Sequence, residues 1–144
     1  MLVRLFLILV GLLVFACGGR IENSITVEEE FKIVQAKAKN LNRKTLILFG
    51  ADWCPDCKAM RGILAEKEVA DILNANYEFM YVDVGKFDKN LEFAGRFHNP
   101  IQKGIPAFVI LSPSGELLVS TNNGEFSKAR KMPSEAVGEF LLKF

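Results

Sequence analysis

GADWCPDCKAM, residues 50–60, sets two cysteines, Cys54 and Cys57, three positions apart beside a tryptophan and a proline. Two thiols so placed can grip a metal, close a small loop or exchange electrons, and the flanking sequence bears on the choice. Upstream, Thr45-Leu46-Ile47-Leu48-Phe49 is an unbroken apolar run between Lys44 and Gly50, which reads as a strand buried on both faces. Downstream, a helix is expected from about Pro55 to Asn74. Pro55 falls in its first turn, where a missing N–H costs little. Cys54 therefore stands at a helix N-terminus, whose unpaired N–H groups and partial positive charge favour a thiolate. Cys57 follows nearly one turn later, so its sulfur can reach that of Cys54. Buried behind Cys54, it is the natural resolving thiol. The pair then supports a two-step exchange. Cys54 attacks a substrate disulfide to give a mixed disulfide, and Cys57 attacks Cys54 to release the reduced product. Run backward, the oxidised pair delivers a disulfide.

The alternatives fit less well. A zinc site needs three or four protein ligands, yet the one histidine, His98, is distant in sequence and there is no second CxxC. An iron–sulfur cluster would have to bridge two chains. A structural disulfide across so small a loop stabilises little. Trp53 beside such a pair reads as surface architecture rather than core.

Outward from this junction, the sequence reads as one domain. Of its 144 residues half are apolar, and 18 Lys+Arg against 17 Asp+Glu leave a net charge of +1. No basic block or acidic tail suggests a nucleic acid or other polyanion partner. Thr26 and Glu29 form a capping box for a helix with Val27, Phe31, Val34, Ala38 and Leu41 on one face. Tyr77–Val84 reads as a second buried strand and residues 88–97 as a helix. Ala107–Leu111 and Glu116–Ser120 form a hairpin about the turn Ser112-Pro113-Ser114-Gly115. Thr121–Lys131 is a polar loop, and Pro133 suits the first turn of a last helix. The order α-β-α-β-α-β-β-α predicts an α/β fold, a mixed four-stranded central sheet with helices on both faces.

The first residues are of another kind. Arg4 precedes an apolar run from Leu5 to Ala16. As a helix that run reaches roughly 18 Å, short of the ~30 Å hydrocarbon core. A charged start, a short apolar centre and a small residue before a cut site describe an export signal. Val14-Phe15-Ala16-Cys17 resembles a bacterial lipobox, in which the cysteine is lipidated. An ordinary signal peptide with a coincidental cysteine, or an uncleaved anchor, is the alternative. The expected organisation is a signal with lipobox over residues 1–17, a tether over 18–25 and a domain over 26–144. The domain would lie on the periplasmic side of a bacterial membrane, lipid-anchored through Cys17.

WCPDC at a strand-to-helix junction resembles the WCxxC of the thioredoxin family. Gly104-Ile105-Pro106 resembles that family's cis-proline segment, and Pro113-Ser114-Gly115-Glu116 its turn between the last two strands. The resemblance spans residues 26 to 144 and is closest to exported bacterial thioredoxin-like interchange and disulfide-isomerase-like proteins. It implies a thioredoxin-like fold, with Cys54 as nucleophile and Cys57 as resolver, together the redox-active disulfide. Substrate would be bound by Trp53, a flat apolar wall, by Pro55 and Asp56, by the Ile105 backbone, by a cis Pro106 and by Gly124 in the loop rimming the groove. No bound cofactor or metal is expected. Protein thiols and disulfides would be the substrates of a monomer served by a membrane redox partner. The direction leans to reductase or interchange, with isomerase, oxidase or a non-enzymatic partner- or metal-binding module as alternatives. One departure stands out. Leu48 occupies the position, six before the first cysteine, where thioredoxins usually carry a buried aspartate, so the Cys57 proton must leave by water or another group. Asp52 and Asp56 should be largely solvated; their charges would disfavour a Cys54 thiolate, and Lys58 would favour it.

Overall fold

A computed structural model describes residues 24–144. The expectations for the signal, for Cys17 and for most of the tether lie outside the described residues. β1 (Lys44–Gly50) is buried along all but its first residue. Its side chains alternate between two cores: Leu46 and Leu48 enter one, Ile47 and Phe49 the other. β2 (Tyr77–Asp83) pairs with it in parallel, setting Leu48 opposite Tyr81 and Gly50 opposite Asp83. β3 (Ala107–Leu111) runs antiparallel on its other side, and β4 (Leu117–Ser120) runs antiparallel to β3. The order is β2-β1-β3-β4, the mixed four-stranded sheet expected of a thioredoxin-like α/β fold. The central position of β1 explains its unbroken apolar run, because neither face meets water.

α1 (Val27–Asn40) begins with the anticipated capping box. Thr26 Oγ1 accepts the Glu29 N–H at 3.2 Å, and a Glu29 carboxylate oxygen accepts the Thr26 N–H at 2.8 Å. Phe31 of α1 meets Phe93 edge-on at 5.4 Å over the Ile47/Phe49 face. Leu41 falls just past the helix and is half-exposed, so it does not extend that face.

The single helix expected from Pro55 to Asn74 is two, α2 (Pro55–Ala65) and α3 (Lys67–Asn76). Glu66, with φ −63° and ψ 137°, breaks the run. No Gly or Pro marks the break. Packing makes it: Met60, Ile63 and Leu64 before it and Val69 after it all enter the Leu46/Leu48 core, which one straight helix would not allow for both halves.

The next helix is also shorter than residues 88–97. α4 spans Leu91–Gly95, preceded by Asn90 in the left-handed region at φ 54°. β2 stops one residue before Val84 and is an edge strand with Phe79 exposed, so it is not buried throughout. Glu116 precedes β4, and Pro133 caps α5 (Ser134–Leu142) from outside its first turn. The polar loop after β4 holds a 3-10 turn, Ala129–Lys131, and an apolar anchor, Phe126. The Phe126 ring lies 4.8 Å from Phe108 and 4.9 Å from Phe140, and this fixes the loop beside α2.

Candidate functional site: a dithiol at the start of α2

The central strand ends at Gly50, and a tight turn delivers the chain to α2, with the Cys54 N–H donating to the Ala51 carbonyl at 3.2 Å. Cys54 is the N-cap, and its sulfur is the cap acceptor: the Cys57 N–H donates to Cys54 Sγ at 3.2 Å. The Cys54 thiol points toward the Ile105 carbonyl oxygen at 3.7 Å. Pro55 at the first helical position is exposed and leaves no unpaired N–H there. Both thiols are free; Cys54 is 5% exposed and Cys57 wholly buried.

The two sulfurs are therefore unequal. Burial pushes the Cys57 thiol up from an ordinary 9.0 to about 12. The hydrogen bond to Cys54 and the nearness of a charge there act in the same direction, while the Ala51 backbone and the Arg61 charge oppose them. A neutral Cys57 behind a more accessible Cys54 is the polarity a two-step exchange needs.

Beside the pair, the Ile105 carbonyl lies against Cys54, and Pro106 follows it. Both are buried, and the peptide bond between them is cis. Trp53 is 52% exposed beside the sulfurs. Its indole N–H donates to the Gly85 carbonyl at 2.6 Å, and its ring meets Phe87 edge-on at 6.2 Å. Trp53 and the exposed Phe87 thus form one apolar plate. Gly124, at φ 75°, stands where a Cβ would come within 2.9 Å of the Lys103 carbonyl oxygen. The lack of a side chain there serves contact with the chain's own backbone, just before Gly104 and Ile105.

Of the two acidic neighbours, Asp52 is solvated as expected and Asp56 differs. Asp56 is not solvated: its side chain is only 14% exposed. It accepts the Arg130 backbone N–H at 3.0 Å and the Arg130 Nε–H at 3.2 Å, and these bonds hold its carboxyl below the usual carboxylate range. Asp52 is exposed but paired, accepting from Arg61 Nη1 at 2.8 Å, which likewise lowers its pKa. Arg61, Arg130, Phe87 and Tyr81 are the site neighbours that sequence reasoning missed. Nothing in the order of residues tied Phe87 to Trp53. His98 is exposed. Among the described residues, no three His, Cys, Asp or Glu side chains cluster to hold a metal.

A strand–turn–helix junction holding one thiol just below the surface and one wholly buried, faced by a cis X-Pro segment, defines a dithiol protein of thioredoxin-like architecture. Residues 26–113 match the family described as thioredoxin-like, and the chain belongs to that family. It is 33% identical to the disulphide isomerase of Xylella fastidiosa Temecula1, with a TM-score of 0.80 over 86% of this chain and 95% of that one. A thioredoxin from Thermus thermophilus matches at 24% identity and a TM-score of 0.60, covering 78% and 82% of the two chains. The C-terminal domain of Neisseria meningitidis DsbD, in its reduced form, matches at 19% identity and 0.53, covering 79% and 93%. These last two speak to fold alone. No curated protein matches the chain.

Proposed function

We propose that the protein is a thiol–disulfide oxidoreductase acting on exported proteins, with Cys54 as nucleophile and Cys57 as resolving thiol. One observation carries this: Cys54 caps α2 with its own sulfur, while Cys57 sits fully buried behind it and stays protonated. In the exchange, Cys54 attacks the substrate disulfide and the leaving sulfur takes a proton. Cys57 then attacks Cys54, forms the Cys54–Cys57 disulfide and frees the second substrate thiol. Trp53, with Pro55, Asp56 and Gly124 around the rim, offers the docking surface, and the Ile105–Pro106 segment lies where an extended substrate chain would run past Cys54.

The direction we favour is reduction or interchange by a monomer, recharged by a membrane electron donor and needing no bound cofactor. Isomerase action is the second reading, because the Xylella relative is described as a disulphide isomerase. Export rests on residues 1–17, and a lipid on Cys17 would anchor the protein at the periplasmic side. Palmitate labelling that survives Cys17→Ser would remove the anchor from this reading.

The test is insulin reduction with dithiothreitol. The wild type should accelerate it, Cys54→Ser should be inactive, and Cys57→Ser should trap mixed disulfides. A Cys54→Ser variant as active as wild type would end the enzymatic reading. Equilibration with a glutathione series then gives direction. A potential near about −270 mV supports an electron donor, and one near about −120 mV a disulfide donor.

A further inference from the structure

During resolution the Cys57 sulfur must give up a proton, in surroundings that offer little help. Leu48, six residues before Cys54 on β1, is apolar and fully buried. Two polar groups do approach Cys57. The first is the Tyr81 hydroxyl, which is buried and has no hydrogen-bond partner among the described residues. A methyl group placed on Gly50 would lie 3.1 Å from Tyr81 Oη and 3.3 Å from Cys57 Sγ, so the two atoms are within about 6.4 Å of each other. Gly50 puts no side chain between them, and no hydrogen bond joins them in the reduced protein, so the hydroxyl must move toward the sulfur to reach it. The second is Arg61, one turn beyond Cys57 on α2. Its guanidinium lies 5.3 Å from the Tyr81 ring centre and is held by Asp52.

A buried hydroxyl without a partner loses hydrogen bonding that water would supply. Retaining one beside a sulfur that must become anionic is explained if the hydroxyl is used only at that moment. We propose that Tyr81 is a positioning residue for the resolving thiol: its neutral hydroxyl donates a hydrogen bond, through the space left by Gly50, to the Cys57 thiolate as it forms, with Arg61 supplying positive charge. This rests on the exchange reading above.

In the step itself, the Cys57 proton passes to solvent water. The Cys57 sulfur bonds to Cys54 Sγ, the bond from Cys54 to the substrate sulfur breaks, and that sulfur leaves with the electron pair and is protonated from water. Tyr81 keeps its proton throughout, which fits a phenol that burial pushes up to about 12. The groups facing Tyr81 are Cys57 and Arg61 from α2, Asp52 from the turn and Asp83 from its own strand.

The experiment follows reduced protein reacting with an aromatic disulfide reagent in stopped flow. Attack by Cys54 releases one aromatic thiol in a phase second order overall, and attack by Cys57 releases the other in a first-order phase. Tyr81→Phe should slow the second phase about tenfold near neutral pH, as expected for loss of a hydrogen bond to a charged group. It should also displace that phase's pH profile upward by about one unit and leave the first phase unchanged. Arg61→Gln, at a half-exposed position that tolerates change, should act on the same phase in the same sense. If the wild type shows no second phase, the exchange reading itself fails. If the wild type resolves and both variants keep its second phase and pH profile, or slow both phases alike, the assignment to Tyr81 is wrong.

Discussion

Raising the pH should erode the stability of the reduced protein in a way traceable to one sulfur. Cys57 is pushed from 9.0 to about 12 in the folded state, chiefly by burial, and in the unfolded chain it returns to the ordinary value. The folded state therefore holds the proton more tightly. Its contribution is fully present below pH 9 and is lost as the pH rises toward 12. Between those limits the unfolded state has released a proton that the folded state keeps, so stability falls by about 1.4 kcal/mol per pH unit from this group. Tyr77 and Tyr81 are also pushed up to about 12 by burial and add their own losses above pH 10.

Subtraction isolates the sulfur. Urea unfolding of the reduced wild type and of Cys57→Ala, from pH 8 to 10.5, should give a difference that is constant up to pH 9. It should then shrink by about 2 kcal/mol by pH 10.5. The lost packing of the alanine variant does not depend on pH and cancels. Parallel curves across the range would show that Cys57 ionises as freely folded as unfolded. The asymmetry between the two thiols, and the order of attack built on it, would then fall.

Trp53→Ala should lower the rate with a protein disulfide roughly tenfold, as loss of an aromatic docking residue does, while the rate with a small aromatic disulfide stays within about twofold; stopped-flow comparison of the two substrates checks this. Gly124→Ala places a side chain at φ 75° and against the Lys103 carbonyl, and should cost about 1–3 kcal/mol in urea unfolding. Asp56→Ala frees Arg130. Because the Asp56 carboxyl is depressed by that partner, its contribution is present above the ordinary value of 3.8 and vanishes as pH falls through the lower folded value. Wild type and variant should therefore differ in urea midpoint at pH 6 and draw together as the pH falls through the lowered folded value.

The central strand and the thiol-bearing turn were legible because each announces itself within a few residues. An unbroken apolar run can only be a buried strand or helix, and Gly50 and Pro55 bracket the change of direction. The capping box at Thr26 was legible for the same local reason. The break at Glu66 was not, because Ala65-Glu66-Lys67 is compatible with helix, and only the demand that Met60 and Val69 reach one core interrupts it. Nor was the plate of Trp53 and Phe87, whose hydrogen bond to Gly85 spans 32 residues. The half-buried Asp56 was misjudged on similar grounds. Its partner lies 74 residues away in a loop that reads as polar, and only Phe126, packed between Phe108 and Phe140, brings that loop home.

That misjudgement bears on the chemistry. Taken as local sequence, Asp52 and Asp56 flank the dithiol with two negative charges and oppose a thiolate. In the folded protein each is bound by an arginine, Asp52 by Arg61 and Asp56 by Arg130. An ion pair seen from outside is closer to a dipole than to a charge, so neither carboxylate acts on the sulfurs with its full field. The arginines do not cancel alike. Arg130 is spent on Asp56 from both its backbone and its side chain. Arg61 also leans over the Tyr81 ring and lowers the cost of charge on Cys57. The surviving positive influence thus falls on the buried Cys57 thiol. Cys54 caps the helix N-terminus and accepts the N–H of Cys57. The two sulfurs remain coupled, because Cys54 raises Cys57 through its hydrogen bond and its charge, so a substitution at either should be felt at the other.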